Sequence, residues 1–178
     1  MKTIIIAGAA ALVAIASPVL AQSVPEKTGV NSALGIAPKT QDFVTEAAQS
    51  DTLEIESSKL ALTKADSDKS KQFAERMIKD HTETSTELKG LVTAGKVQVN
   101  LPSAMDKAHK DKLDKLAKLS GKDFTKEYND LQLAAHKDAV SLFERYGKAG
   151  DNADLKAFAT KHLPHLQQHL LMAQELNK

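Results

Sequence analysis

Cysteine is absent from the 178-residue sequence, which excludes disulfide bonds, thiolate metal sites and a cysteine nucleophile. Tryptophan is also absent, and aromatic residues make up only 4% of the chain, too few for a platform on which nucleic-acid bases stack. Lys and Arg number 24 against 23 Asp and Glu, so no excess of positive charge is available to bind phosphates. We therefore expect no nucleic-acid partner.

The chain begins with a short segment that has the features of a secretory signal. Lys2 precedes an apolar, alanine-rich run over residues 4–20, and small residues stand at the expected cleavage positions up to Ala21. This pattern predicts a signal peptide over residues 1–21, cut after Ala21. A membrane anchor is the alternative, but the run is shorter than the roughly 20 residues that a spanning helix needs. No later segment is apolar enough to span a bilayer, so we expect a periplasmic or secreted protein.

Glycine and proline number 8 and 5 in the whole chain, and those after residue 21 divide the rest of the sequence into segments. Residues 22–39 are rich in both and predict a flexible leader. Residues 40–177 hold long stretches with apolar residues at helical spacing and no strand-like alternation. They predict an all-α, up-down four-helix bundle. An additional short helix, opened by a capping box at Ser103–Asp106, is expected in the crossover between the second and third long helices.

The histidines are the main candidates for chemistry, and there are six of them. His109 lies among lysines, which is typical of a solvated face. The others lie on or beside apolar helix faces, where imidazoles from several helices can converge on one ion. One interpretation is a site for one Zn, Cu or Ni ion with this ligand set, in which His165 is an alternate: Glu54, His81, His136 and His169. The other interpretation is a buried Glu–His hydrogen-bond network that fixes the register of the helices.

An ordered set of motifs extends over about residues 40–176: Phe43–Glu54, Phe73–His81, Leu119–Tyr128, His136 and Leu163–Leu170. This set resembles the DUF4142 family, a bacterial family of secreted proteins of unknown function within the ferritin-like superfamily. The resemblance implies a ferritin-like up-down four-helix bundle and an envelope location, and it implies no established reaction.

The histidine-bearing helices depart from those of di-iron proteins. Bridging carboxylates in such proteins stand three residues before the histidine, whereas here those positions hold Ile78 and Leu166. Classical di-iron chemistry is therefore not expected. The sequence favours a non-catalytic exported protein, linked to envelope stress or to interaction with other proteins, with binding of a single transition-metal ion as the alternative. Protein partners and association into a homo-oligomer are left open.

Overall fold

The computed structural model describes Ser23 and residues 29–178. The predicted signal peptide over residues 1–21 therefore lies outside the described residues. Helices account for all the regular secondary structure in the described part, apart from one isolated backbone bridge between Ala65 and Gly121. The described residues form six helices: α1 (Val30–Ala33), α2 (Thr40–Lys64), α3 (Asp68–Thr93), α4 (Lys107–Ala117), α5 (Gly121–Ala149) and α6 (Ala153–Leu176).

The four long helices form two hairpins joined by a crossover. At one end of the bundle, Thr40 at the start of α2 bonds to Tyr146 near the end of α5, with 2.7 Å between the hydroxyl oxygens. At the other end, the Thr125 hydroxyl in α5 donates to Asp66, just after α2, at 2.6 Å. Helices α2 and α5 are therefore antiparallel, and the crossover with α4 returns the chain along the length of the bundle. The predicted all-α bundle with a short crossover helix is confirmed.

Side chains of the connecting segments determine where several helices begin. Ser67 accepts a hydrogen bond from the Ser70 amide, and Asn152 accepts one from the Leu155 amide, so each satisfies a free N–H of a first turn. The capping box expected at Ser103 is wrong. Helix α4 begins later, at Lys107, because Asp106 is the residue that accepts from a first-turn amide, that of His109, at 2.9 Å.

Residues 29–39 of the predicted leader belong to the described part of the chain. The one-turn helix α1 lies within residues 22–39, and the Ile36 carbonyl accepts a hydrogen bond from Arg145 of α5 at 2.6 Å. None of the helices in the described part combines the length and the apolar character that crossing a membrane requires.

The core is split into two apolar clusters with a polar layer between them. One cluster packs Phe43 of α2 against Phe143, Tyr146 and Phe158 near one end of the bundle. The other lies towards the opposite end, and its largest members are Phe73, Met77, Phe124 and Tyr128. The segments between them on the four long helices carry buried polar side chains: Asp51, Glu54, His81, Gln132, His136 and His169. A buried polar layer of this size requires partners for its polar atoms.

Two glutamines of α2 connect the crossover to the bundle in the same way and predict a measurable contrast in stability. The Gln49 side chain donates to the Ala104 carbonyl and accepts from the Asp106 amide, both at 2.9 Å. Gln41 makes the equivalent pair of bonds to Asn100 from a more exposed position. We expect Gln49→Ala to lower the free energy of unfolding by about 1–3 kcal/mol in urea titrations, since it removes two hydrogen bonds made by a buried side chain. Gln41→Ala should cost less, because water replaces its bonds; equal losses would contradict this assignment.

Candidate metal centre

Three of the buried histidines come from three different long helices. Each follows the inward apolar stripe of its helix: Met77 lies one turn before His81 on α3, and Leu166 lies one turn before His169 on α6. His136 holds the corresponding inward position on α5. Because i and i+4 positions share a helix face, the spacing that buries the neighbouring apolar residues also turns each imidazole inward.

The rings of His81, His136 and His169 converge on one interior point. One nitrogen of each ring lies within 4.8 Å of the corresponding nitrogen of the other two. The ring centroids are 5.4–5.6 Å apart. The three side chains are almost entirely shielded from solvent, since each residue is at most 2% exposed. We call this group the three-histidine cluster.

Hydrogen bonds on the outer side of the cluster orient each ring. His81 donates from Nδ1 to Asp51 at 2.8 Å, His136 from Nδ1 to the Gln132 carbonyl at 2.9 Å, and His169 from Nε2 to Asp80 at 2.9 Å. Because carboxylates and carbonyls only accept, each of these nitrogens carries its hydrogen. The nitrogens on the inner side, His81 Nε2, His136 Nε2 and His169 Nδ1, have no hydrogen-bond partner in the described part of the chain.

The two carboxylates behind the cluster are themselves held in place. Ser85 donates to the second oxygen of Asp51 at 3.0 Å, and Arg76 donates to Asp80 at 3.2 Å. An imidazole that donates its outer N–H to a fixed carboxylate is the usual arrangement around a protein-bound metal, because the bond fixes the tautomer and makes the inner nitrogen a better ligand.

Burial sets the protonation of two of the rings. It lowers the pKa of His136 to about 3, together with repulsion from the nearby His81. Burial lowers the pKa of His169 to about 4, again with a contribution from His81 and despite the Asp80 bond. Both rings are therefore neutral near pH 7. For His81, burial is outweighed by the hydrogen bond and charge of Asp51, which raise its pKa above the ordinary value.

Glu54 lies in the same polar layer but outside the three-histidine cluster. The residue is 1% exposed, and neither carboxylate oxygen finds a hydrogen-bond partner among the residues described. Its oxygens do not join the set of atoms that lie within 4.8 Å of one another. Burial raises the pKa of Glu54 to about 7, and the attraction of His81 opposes that rise. The alternate ligand His165 is exposed and is also outside the cluster.

Sequence reasoning did not identify Asp51 and Asp80, the outer partners. Asp51 precedes Glu54 by three residues and so shares its helix face, a signal that could have included it. Asp80 gave no such signal, because it is the immediate neighbour of His81 and therefore points in a different direction. Only the packing of α3 against α6 brings it to His169.

Three inward imidazole nitrogens are suited to hold one transition-metal ion. In a tetrahedral site with bonds of 2.0–2.1 Å, ligand nitrogens lie roughly 3.4 Å apart, so small inward movements of the rings would close the cluster around an ion. Three protein ligands leave a fourth position for water or a carboxylate.

The fold and the cluster together define an all-α bundle with a candidate metal centre in its polar layer. Residues 25–176 match a family profile described as "Domain of unknown function (DUF4142)", and the chain belongs to this family, as its motifs predicted. No curated protein matches the sequence. The chain is similar to a solved structure described as CopM in the Cu(II)-bound form, with a TM-score of 0.65 and 17% identity over 79% of this chain and 96% of that chain. At this identity the likeness establishes the fold alone.

The buried groups predict how the metal-free protein responds to acid. Between about pH 6.5 and 4.5, His136 and His169 bind protons when unfolded and not when folded, whereas folded Glu54 keeps a proton that the unfolded chain has released. Unfolding then takes up a net of about one proton, so the free energy of unfolding should fall by roughly 1 to 1.5 kcal/mol per pH unit of acidification. Above pH 6.5 the raised pKa values of Glu54 and His81 reverse the sign.

Urea titrations with a chelator present, from pH 4.5 to 8, measure this profile. We expect maximal stability near pH 6.5. Glu54→Gln should steepen the acid side towards two protons, because it removes the opposing group, and the exposed His165→Gln should leave the slope unchanged. Stability that rises on acidification, or a slope indifferent to Glu54→Gln, would show that these groups do not titrate as described.

Proposed function

We propose that the protein binds one transition-metal ion, preferentially Cu²⁺, through His81, His136 and His169. The observation that carries the proposal is the orientation of the three rings. Each outer nitrogen donates to a fixed acceptor, and each inner nitrogen is buried without a partner and points at the other two. A single ion between them would satisfy all three nitrogens at once.

A buried Glu–His network explains the site less well. In such a network the buried atoms would bond to one another, yet the inner nitrogens and both Glu54 oxygens lack hydrogen bonds within the described ranges. A buried polar atom without a partner costs about 1–3 kcal/mol, so several in one layer are a heavy cost unless a ligand offsets it. A metal ion is the ligand that imidazole nitrogens favour.

The charges around the cluster suit a divalent cation. Asp51 and Asp80 sit directly behind two of the rings, and the Glu54 carboxylate is buried in the same layer. A cation there would displace the proton that the raised pKa of His81 retains. We assign Glu54 to charge balance and, in the metal-loaded protein, to the fourth coordination position.

Among Zn, Cu and Ni, copper(II) is the preferred ion. Sites with nitrogen ligands follow an order of affinity in which Cu²⁺ exceeds both Ni²⁺ and Zn²⁺. The description of the similar structure, CopM in the Cu(II)-bound form, supports the same choice. The bridging carboxylates of a di-iron centre are replaced by Ile78 and Leu166, which favours a single ion.

We place this binding outside the cytoplasm, in the periplasm or the medium. The support is the predicted signal peptide over residues 1–21, with its cut after Ala21. The exported domain would then be the helical bundle over residues 40–177. With a buried site and no further chemistry assigned, the role we propose is non-catalytic holding or transfer of the ion.

Metal binding should be visible as thermal stabilisation of the apoprotein. At a free Cu²⁺ concentration a hundred times the dissociation constant, one site adds about 2.7 kcal/mol to the free energy of unfolding. Calorimetric titration should give one ion per chain. His81→Ala, His136→Ala and His169→Ala should each abolish high-affinity binding, whereas the exposed His165→Ala should keep it; parental binding by all three cluster variants would remove the proposal.

The outer carboxylates should tune affinity without touching the ion. Asp80→Asn keeps the shape of the side chain and removes the charge behind His169, so we expect binding about tenfold weaker or more. The matched control is Glu87→Gln, since Glu87 accepts from His162, a histidine outside the cluster, at 2.9 Å. Competition with a chelator of known affinity measures both, and an equal effect of the two substitutions would contradict a special role for Asp80.

A further inference from the structure

A groove opens between α3 and α6 beside the three-histidine cluster. His81 and His169 form part of its lining, Thr84 and Leu166 belong to its walls, and the exposed Glu83 and His165 lie at its outer edge. Its volume is about 70 Å³, enough for an ion with one or two waters. We infer that this groove is the route by which the metal reaches the cluster, and that Glu83 and His165 bind the ion first. The inference rests on the proposed function.

Among the described residues, a larger cavity between α2 and α3 is lined by Ser85 and Leu88 but by none of the three cluster histidines. Beside the three-histidine cluster, α2 and α5 contribute fully buried side chains, among them Ser57, Ser58, Tyr128 and Gln132. Along the bundle axis the two apolar clusters of the core block both ends. A buried metal site needs a path for the ion, and the α3–α6 side is where the described residues leave space next to two ligands.

The residues at the outer edge have the chemistry to receive a cation. Glu83 offers a carboxylate and His165 an imidazole, and neither makes a side-chain hydrogen bond within the part of the chain that the structure covers. Lys161 also lines the groove, but its ammonium is 2.6 Å from Glu87, which compensates its charge. The local field therefore does not oppose a positive ion.

Helix spacing connects the outer edge to the cluster. His165 and His169 are related as i and i+4 on α6, so they lie about 6 Å apart on one face. On α3, Glu83 is three residues after Asp80, whose carboxylate accepts from His169. An ion held at the outer edge thus moves along α6 by about one helical turn, and inward, to reach the unpartnered nitrogen of His169. From there it reaches the unpartnered nitrogen of His81.

The rate at which the apoprotein binds Cu²⁺ distinguishes residues on an entry route, which affect the rate, from ligands of the final site, which affect the affinity. Stopped-flow mixing of apoprotein with Cu²⁺, followed by the absorbance of the copper–imidazole centre, gives the association rate constant. For the double variant Glu83→Lys/His165→Ala we expect that constant to fall about tenfold or more, since attraction at the edge of the groove becomes repulsion. The dissociation rate should fall with it, so the equilibrium affinity should remain within about twofold of the parent.

Glu75→Lys is the matched control, because it makes the same charge change on an exposed position of α3 outside the groove. It should load at the parental rate. Parental loading by the double variant, or an equal slowing by Glu75→Lys, overturns the route while leaving the proposed function intact. Absence of copper binding by the parent protein is a different result, which overturns the proposed function and the route together.

Discussion

The central constraint in this molecule is the set of outward hydrogen bonds made by three buried imidazoles. Each bond commits one ring nitrogen to an acceptor and leaves the other facing the interior. The acceptors lie on three helices: Asp51 on α2, Asp80 on α3 and Gln132 on α5. The bond within α5 fixes the ring of His136 locally, whereas the other two join α3 to α2 and α6 to α3. The convergence of the rings therefore depends on the register of these helices, and the proposed metal site depends on the same register.

Packing in the two apolar clusters offsets the destabilising effect of this polar layer. Stacked and edge-on aromatic contacts hold one end of the bundle, and Phe73, Met77 and Tyr128 hold the other. A polar layer with unpartnered atoms destabilises a fold unless packing elsewhere compensates for it. Gln49 adds to that compensation by tying the crossover to α2 through two backbone hydrogen bonds. The apolar ends thus stabilise the bundle, and the polar layer between them holds the proposed metal site.

Much of the fold follows from residue spacing, and less of the site does. Long windows without Gly or Pro, with apolar residues at helical period, predict four helices and a crossover, because the period determines which face is buried. The same period points His81, His136 and His169 inward. The period does not determine distances between side chains on different helices. It therefore could not predict that Glu54 lies outside the cluster. Asp80 meets His169 through packing between helices distant in sequence. Residue pattern also does not decide which of Ser103 and Asp106 caps α4; in the structure Asp106 does so.

The most direct measurement is a crystal structure of the copper-loaded protein with anomalous diffraction at the copper edge. The account predicts one strong peak per chain, about 2.0–2.1 Å from His81 Nε2, His136 Nε2 and His169 Nδ1, with the bonds to Asp51, Asp80 and the Gln132 carbonyl retained. A protein without copper in the polar layer, or with its only peak at an exposed histidine such as His109 or His165, would contradict it.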